Sequence, residues 1–372
     1  MFNPARLTLA RERRLITKKD LAAKAGISPV TLTRIESGGT DAPEEPTIEA
    51  LASALNYPSS FFFLGDPEVL QENSVSFRRM SSTTAGQQKA ARWAGSLAYE
   101  IDDWVHQRFN LPKPEVPDLR EESPENAALS LRSMWGVGFK PIKHIISLLE
   151  TNGVRVFSLD ESNCNVDAFS VWRGTKPYVF LNTQKSAERS RFDAAHELGH
   201  LVLHQHGLLQ EPGGIEKKER EKEADRFASA FLMPREDLLA RVPSFPSLGD
   251  LIKLKSRWGV SVAALAKSAF DAGLVSDWHY RALCRELSAA GYRKKEPGPM
   301  ARERSVAWEK ILRSLWSKGH TKQRISSALS LPIDELEALI KTVVDDKAQK
   351  EAEKARSGNK SGATLRLVHS DR

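Results

Sequence analysis

Arg191-Phe192-Asp193-Ala194-Ala195-His196-Glu197-Leu198-Gly199-His200-Leu201-Val202-Leu203-His204 contains H-E-x-x-H. At helical pitch His196 and His200 stand one turn apart on the same face, so two imidazoles reach one ion. Glu197 lies about 100° round the helix, beside that face and free of the metal. Hydrolysis needs this arrangement: the ion polarises a carbonyl and acidifies a water, and the carboxylate takes the water's proton. Phe192, Ala195, Leu198 and Val202 supply an apolar flank that supports a long helix. Gly199 in mid-helix costs about 1 kcal/mol against Ala, which predicts close packing at that point. Four of the nine histidines of the chain fall between 196 and 206.

A catalytic zinc needs a third protein ligand. His204 shares the helix face but lies two turns from His196, too far along a straight helix for one ion to join all three rings. His206 has the ten-residue spacing of H-E-x-x-H-x-x-G-x-x-H, but Leu203 stands where that bend requires Gly. The next predicted helix, Lys217 to Met233, offers Glu219, Glu221 and Glu223, and periodicity does not choose among them.

Together, Arg191-Phe192 with H-E-L-G-H-L-V-L-H and the later E-A-D-R-F-A-S-A-F-L-M-P resemble the ImmA/IrrE family of metallo-endopeptidases. The resemblance implies a zincin-like domain. It also implies that the Glu opening the E-A-[ND]-x-F-A segment ligates the metal, which maps to Glu223, with Glu221 as second choice. Asp225 fits the Asn/Asp position. The implied site is therefore zinc on His196, His200 and Glu223, a water in the fourth position, Glu197 as general base, and His204 as a hydrogen-bond donor behind the ligands or to the transition state, or as a capping or surface histidine.

Before this helix, Val154–Leu159 reads as a strand. Ala168–Trp172 and Tyr178–Asn182 read as a hairpin turning at Arg173-Gly174-Thr175-Lys176. A strand beside the metal helix suits a protease, because an extended peptide can add to its edge. Glu125–Trp135 and Ile142–Asn152 read as helices.

At the other end, residues 1–40 hold eight Lys/Arg and three acids, net +5. Thr17 opens a short helix, Gly26 turns, and Ser28 caps a second helix with Pro29 at its first position. Ala22, Leu32 and Ile35 occupy the small-residue and anchor positions of a helix-turn-helix. Residues 4–64 resemble the XRE-type (Cro/repressor-like) DNA-binding family. Carried over, Pro29, Val30 and Arg34 would face base edges, and Lys18, Ser28 and Thr31 would face phosphates. Pro29 and Val30 make no bidentate base contact, which leaves Arg34 nearly alone for direct readout. A protein-interaction role is the other reading of this domain.

At 372 residues and 40% hydrophobic composition the chain is a globular protein of several domains. No run approaches a membrane span, and the N-terminus shows no signal core. Two cysteines, Cys164 and Cys284, have no metal-binding spacing, which points to a reducing cytoplasm. The net charge of +7 is compatible with a polyanionic partner.

The expected fold is α+β and mostly helical. Its parts are an all-α helix-turn-helix domain (1–66), a helical connector and Pro-rich linker (67–122) and a metallopeptidase domain with a small sheet (123–240). A helical, helix-turn-helix-like segment (241–298), C-terminal helices (299–346) and a disordered basic tail (347–372) follow. A substrate-docking role suits 241–298. The expected function is a zinc-dependent, site-specific endopeptidase that cleaves a repressor or antitoxin-like regulator, with DNA as second partner. The alternative is a transcription regulator or toxin–antitoxin component whose metal site is structural or sensory.

Overall fold

The computed structural model describes residues 1–39, 43–70, 84–159, 166–182, 185–204 and 217–340. The expected tail, the end of the C-terminal helices, Cys164 and His206 lie outside them.

The first 64 residues form α1 (Pro4–Arg13), α2 (Lys18–Lys24), α3 (Pro29–Glu36), α4 (Glu45–Leu55) and a 3-10 turn (Ser59–Phe63). The Thr17 and Ser28 side chains accept from Asp20 N and Thr31 N, so both caps form as the sequence indicates. Leu21, Ala22, Leu32 and Ile35 are buried between the helices. Next come α5 (Ala85–His106), α6 (Pro124–Met134) and α7 (Ile145–Thr151). Helix α7 begins three residues later than the apolar pattern suggests, because His144 serves as its cap and accepts from Ser147 N at 3.1 Å.

Three strands follow: β1 (Arg155–Leu159), β2 (Ala168–Arg173) and β3 (Lys176–Asn182), in the order β1-β3-β2. β1 is parallel and β2 antiparallel to β3, so β2 is an edge strand. After them come α8 (Ala187–Leu203), α9 (Lys217–Leu232), α10 (Arg235–Arg241), α11 (Leu248–Trp258), α12 (Val262–Asp271) and α13 (Asp277–Ala289). Helices α14 (Val306–Ser317), α15 (Lys322–Ala328) and α16 (Ile333–Ile340) complete the described chain. No helix among the described residues is long and apolar enough to cross a membrane.

Period-two alternation places the sheet as a partition. Phe157, Leu159, Phe169, Val171, Tyr178 and Phe180 enter one core with the first four helices, α5 and α14–α16. Val156, Ala168, Val179 and Leu181 enter a second core with α6–α13. Both faces are covered, which is why these strands read as nearly continuous apolar runs.

The Pro-rich stretch is a fixed strap, not a free spacer. Glu115 N donates to Asn152 O at 2.9 Å, and Trp135 Nε1 donates to Glu115 O at 2.8 Å. Gly153, at φ +80, lets the strap lie against it; a Cβ there would meet Lys113 O at 2.3 Å.

The C-terminal helices belong to the same body. Glu150 accepts from Ser305 Oγ and from the Val306 and Ala307 amides at the start of α14. Glu303 returns the arrangement, accepting from the Ile145 and Ile146 amides at the start of α7. Glu335 on α16 pairs with Arg13 at 3.0 Å and accepts from Tyr57 Oη at 3.0 Å, while Asp334 pairs with Arg14 at 2.6 Å. The basic first segment is thereby accounted for differently than its net charge suggests. Arg6 pairs with Glu100, Arg11 and Lys18 with Glu36, and Arg13 and Arg14 with α16, so five of its eight cations are held in internal ion pairs.

The Arg13–Glu335 pair is buried on both sides. Removing one partner leaves the other charge buried and uncompensated. Glu335→Ala should destabilise the protein by about 3 kcal/mol or more, read as a lower urea midpoint.

Candidate metal centre

Helix α8 carries the motif and is held along its length. Near its start, Glu188 pairs with buried Lys255 at 2.9 Å and accepts from Met300 N at 2.9 Å. One turn on, the Arg191 guanidinium donates to Trp258 O at 3.0 Å and to Ile142 O, and it pairs with Glu303. At its middle, Gly199 meets α9: a Cβ there would lie 3.0 Å from Phe227 Cδ1 and 3.3 Å from Ala224 Cα. The mid-helix glycine therefore sits at a close approach of the two helices, as its position implies.

That approach brings a carboxylate across the imidazoles. His196 Nε2 and His200 Nε2 stand 3.1 Å apart, and both rings are fully buried. Glu221 Oε2 lies 3.4 Å from His196 Nε2, and Glu221 Oε1 lies 3.7 Å from His200 Nε2. The expectation that Glu223 is the third ligand needs correction. Glu223 Oε2 lies 2.9 Å from His204 Nε2, and Glu221 takes the place between the two motif histidines. The reason is rotation: residues two apart on a helix point about 200° apart, so 221 and 223 cannot both face one pair. Glu219 is solvent-facing and pairs with Lys222.

The donor set suits a small divalent ion. Two ligands at about 2.0–2.1 Å in a tetrahedron stand about 3.3 Å apart, close to the separations among these three groups. The remaining imidazole nitrogens are also engaged. His196 Nδ1 lies 2.9 Å from Asp225 Oδ1, one turn beyond Glu221, and His200 Nδ1 lies 2.8 Å from His204 Nδ1. Such outer partners fix the ring orientation of metal-binding histidines.

Glu197 is fully buried on the sheet side of α8. Ser170 Oγ, on edge strand β2, donates to its Oε2 at 2.7 Å. Its Oε1 is buried without a hydrogen-bond partner among the described residues, an acceptor to which a catalytic water would donate. Burial raises the Glu197 pKa to about 7, opposed by His196 and by the Ser170 bond. Burial likewise lowers that of His204 to about 4, helped by the positive charge of Arg220, so this ring is neutral at pH 7.

Ser170 was not singled out by the motif. The signal for it is one small polar residue in an otherwise apolar strand, at a position whose neighbours 168 and 172 face α8. Of the residues expected to meet DNA, Pro29, Val30, Thr31 and Arg34 are exposed on α3, with Ser28 exposed at its cap. Ser28 Oγ and Thr31 Oγ1 are 2.8 Å apart, and Lys18 is exposed with Nζ 2.9 Å from Glu36.

A carboxyl whose folded pKa exceeds its unfolded value contributes most to stability below the unfolded value, here 4.5, and loses that contribution as pH rises through about 7. In the metal-free protein Glu197 should therefore withdraw thermal stability between these pH values, against the opposite slope from His204, whose pKa is lowered from 6.5 to about 4. Glu197→Gln should flatten that part of the profile in melts run with a chelator.

Two family models match the chain. The model of the IrrE N-terminal-like domain, of the M78 peptidases, matches residues 149–269, from the end of α7 through α12. A helix-turn-helix model matches residues 7–62. No curated protein matches the chain. The chain thus joins a helix-turn-helix domain of the DNA-binding XRE type to a metallopeptidase-like domain of the ImmA/IrrE family.

Proposed function

We propose that the protein is a zinc-dependent endopeptidase that cleaves a protein bound near DNA, such as a transcriptional repressor or an antitoxin-like regulator. The observation that carries this reading is the convergence of His196, His200 and Glu221 beside a buried carboxylate with one oxygen free.

In this reading His196, His200 and Glu221 hold the ion. When bound, zinc polarises the scissile carbonyl and acidifies a water. Glu197 acts through Oε1, which meets no donor among the described residues, while Ser170 fixes Oε2 and so sets the direction of the other oxygen. Glu197 takes a proton from water as the water oxygen bonds to the carbonyl carbon. It then returns that proton to the leaving amine as the C–N bond breaks.

Edge strand β2 runs beside α8 and supplies Ser170, so a substrate strand adding to its open side would lie along the metal helix. The helix-turn-helix domain would contribute proximity: a protease near an operator meets a repressor there far more often than free in solution. Such a protein works in the cytoplasm, in keeping with the free thiol of Cys284.

The test is bacterial co-expression of candidate repressors with wild-type protein and with Glu197→Gln, read by fragment mass. Wild type should give two defined fragments. Glu197→Gln should reduce cleavage at least about 100-fold, the scale of a general base, while the purified variant retains one equivalent of zinc. Regulation that persists in Glu197→Gln without any fragments would instead favour a structural or sensory metal.

A further inference from the structure

We propose that His204 and Glu223 form a positioning relay that fixes the proton and orientation of the metal ligand His200. The inference rests on the reading that His196, His200 and Glu221 hold a divalent cation.

An ion on His200 Nε2 sets the proton order of the chain from His200 to Glu223. The Nε2 atoms of His196 and His200 face each other and Glu221, so the lone pair of His200 Nε2 is directed to the ion. A neutral imidazole carries its single proton on the other nitrogen. His200 Nδ1–H therefore donates to His204 Nδ1, 2.8 Å away. His204 Nδ1 is then an acceptor, and its proton sits on Nε2. Nε2–H donates to Glu223 Oε2, 2.9 Å away. Each contact has one donor and one acceptor, and the chain ends on a carboxylate.

The two motif histidines are thus oriented by different devices. His196 meets Asp225 directly. On its Nδ1 side His200 meets the imidazole of His204, which in turn meets Glu223. The spacing explains the difference. Asp225 follows Glu221 by one turn and lies on the same side of α9, beside His196. At the far end of the pair, α8 supplies His204 one turn beyond His200, and Glu223 comes from the flank of α9. The relay also gives Glu223 a place close to the metal ligands without making it one.

The experiment measures zinc affinity of the full chain by competition with a chromophoric chelator, together with the visible spectrum of the cobalt-loaded protein. Wild type should bind one equivalent. His204→Ala should weaken binding about 10- to 100-fold, the usual effect of losing an outer partner. His204→Asn should restore most of the loss, because Asn Oδ1 can accept from His200 Nδ1–H; a purely space-filling role for the ring would show no such rescue. Glu223→Gln should weaken binding in the same direction as His204→Ala but by less, with an unchanged cobalt spectrum, since the amide oxygen still accepts from Nε2–H but carries no charge. Glu221→Gln should alter the spectrum and bind far more weakly. Wild-type affinity in a folded His204→Ala variant would overturn the relay alone. A loss in Glu223→Gln as large as in Glu221→Gln, with a changed spectrum, would overturn it by making Glu223 a ligand. If wild type bound no stoichiometric zinc or cobalt, the metal reading would fall and the relay with it.

Discussion

The geometry of the site depends on how closely α8 and α9 approach at Gly199. A side chain there would press on Phe227 and on the backbone at Ala224, and it would push α9 outward. Glycine costs about 1 kcal/mol of helix propensity at that position, and that cost is set against the register it permits. With α9 this close, the residue three before Ala224 reaches the gap between the motif histidines, and the residue after Ala224 reaches the outer nitrogen of His196. The site is therefore a property of two helices in contact more than of one helix with a motif.

The sheet supplies the other wall. Its strands are covered on both faces, so the side of α8 that touches β2 is dry. Dryness raises the pKa of Glu197, since burial penalises the charged form. One hydroxyl on β2 then fixes one carboxylate oxygen and leaves the other unmet. The same partition carries the first domain on its opposite face, through Tyr178, Phe180 and α5. Tyr178 Oη donates to Asp102 on α5 at 2.7 Å, and Asp102 also pairs with Arg155 of β1. The helix-turn-helix and peptidase-like parts therefore share packing rather than hanging on a loose tether.

What was legible in the sequence was local. Motif spacing places His196, Glu197 and His200 because helical pitch alone fixes their relation. The Ser28 cap and Pro29 place α3, and the hairpin turn falls where Gly174 and alternating residues put it. What was not legible depended on partners far along the chain. Choosing Glu221 over Glu223 requires the rotation of α9 about its own axis, which is set by packing at Gly199 and not by the composition of α9. Ser170 needs the sheet order and register before its side is known. The C-terminal helices have no readable role until Glu335 is seen against Arg13, more than 300 residues away in sequence.

The charge of the first segment shows the same limit in another form. A net charge counts residues wherever they point. Here Arg6, Arg11 and Arg13 are buried, and Arg14 is engaged by Asp334 and Glu335. Lys18, Lys19, Lys24 and Arg34 are the exposed cations among residues 1–39. Residues 43–66 add none, and they present Glu44, Glu45 and Glu49 to solvent. Each phosphate contact with duplex DNA contributes about −0.9 to the salt slope, and the four exposed cations, Lys18 among them beside Glu36, are few to supply such contacts. On α3, Val30 and Pro29 offer no paired hydrogen bonds to compensate. The arginines that would make a free helix-turn-helix a strong electrostatic binder are instead what join it to α5 and α16. Attachment to the rest of the protein and grip on a polyanion draw on the same side chains, and in this chain attachment holds most of the arginines.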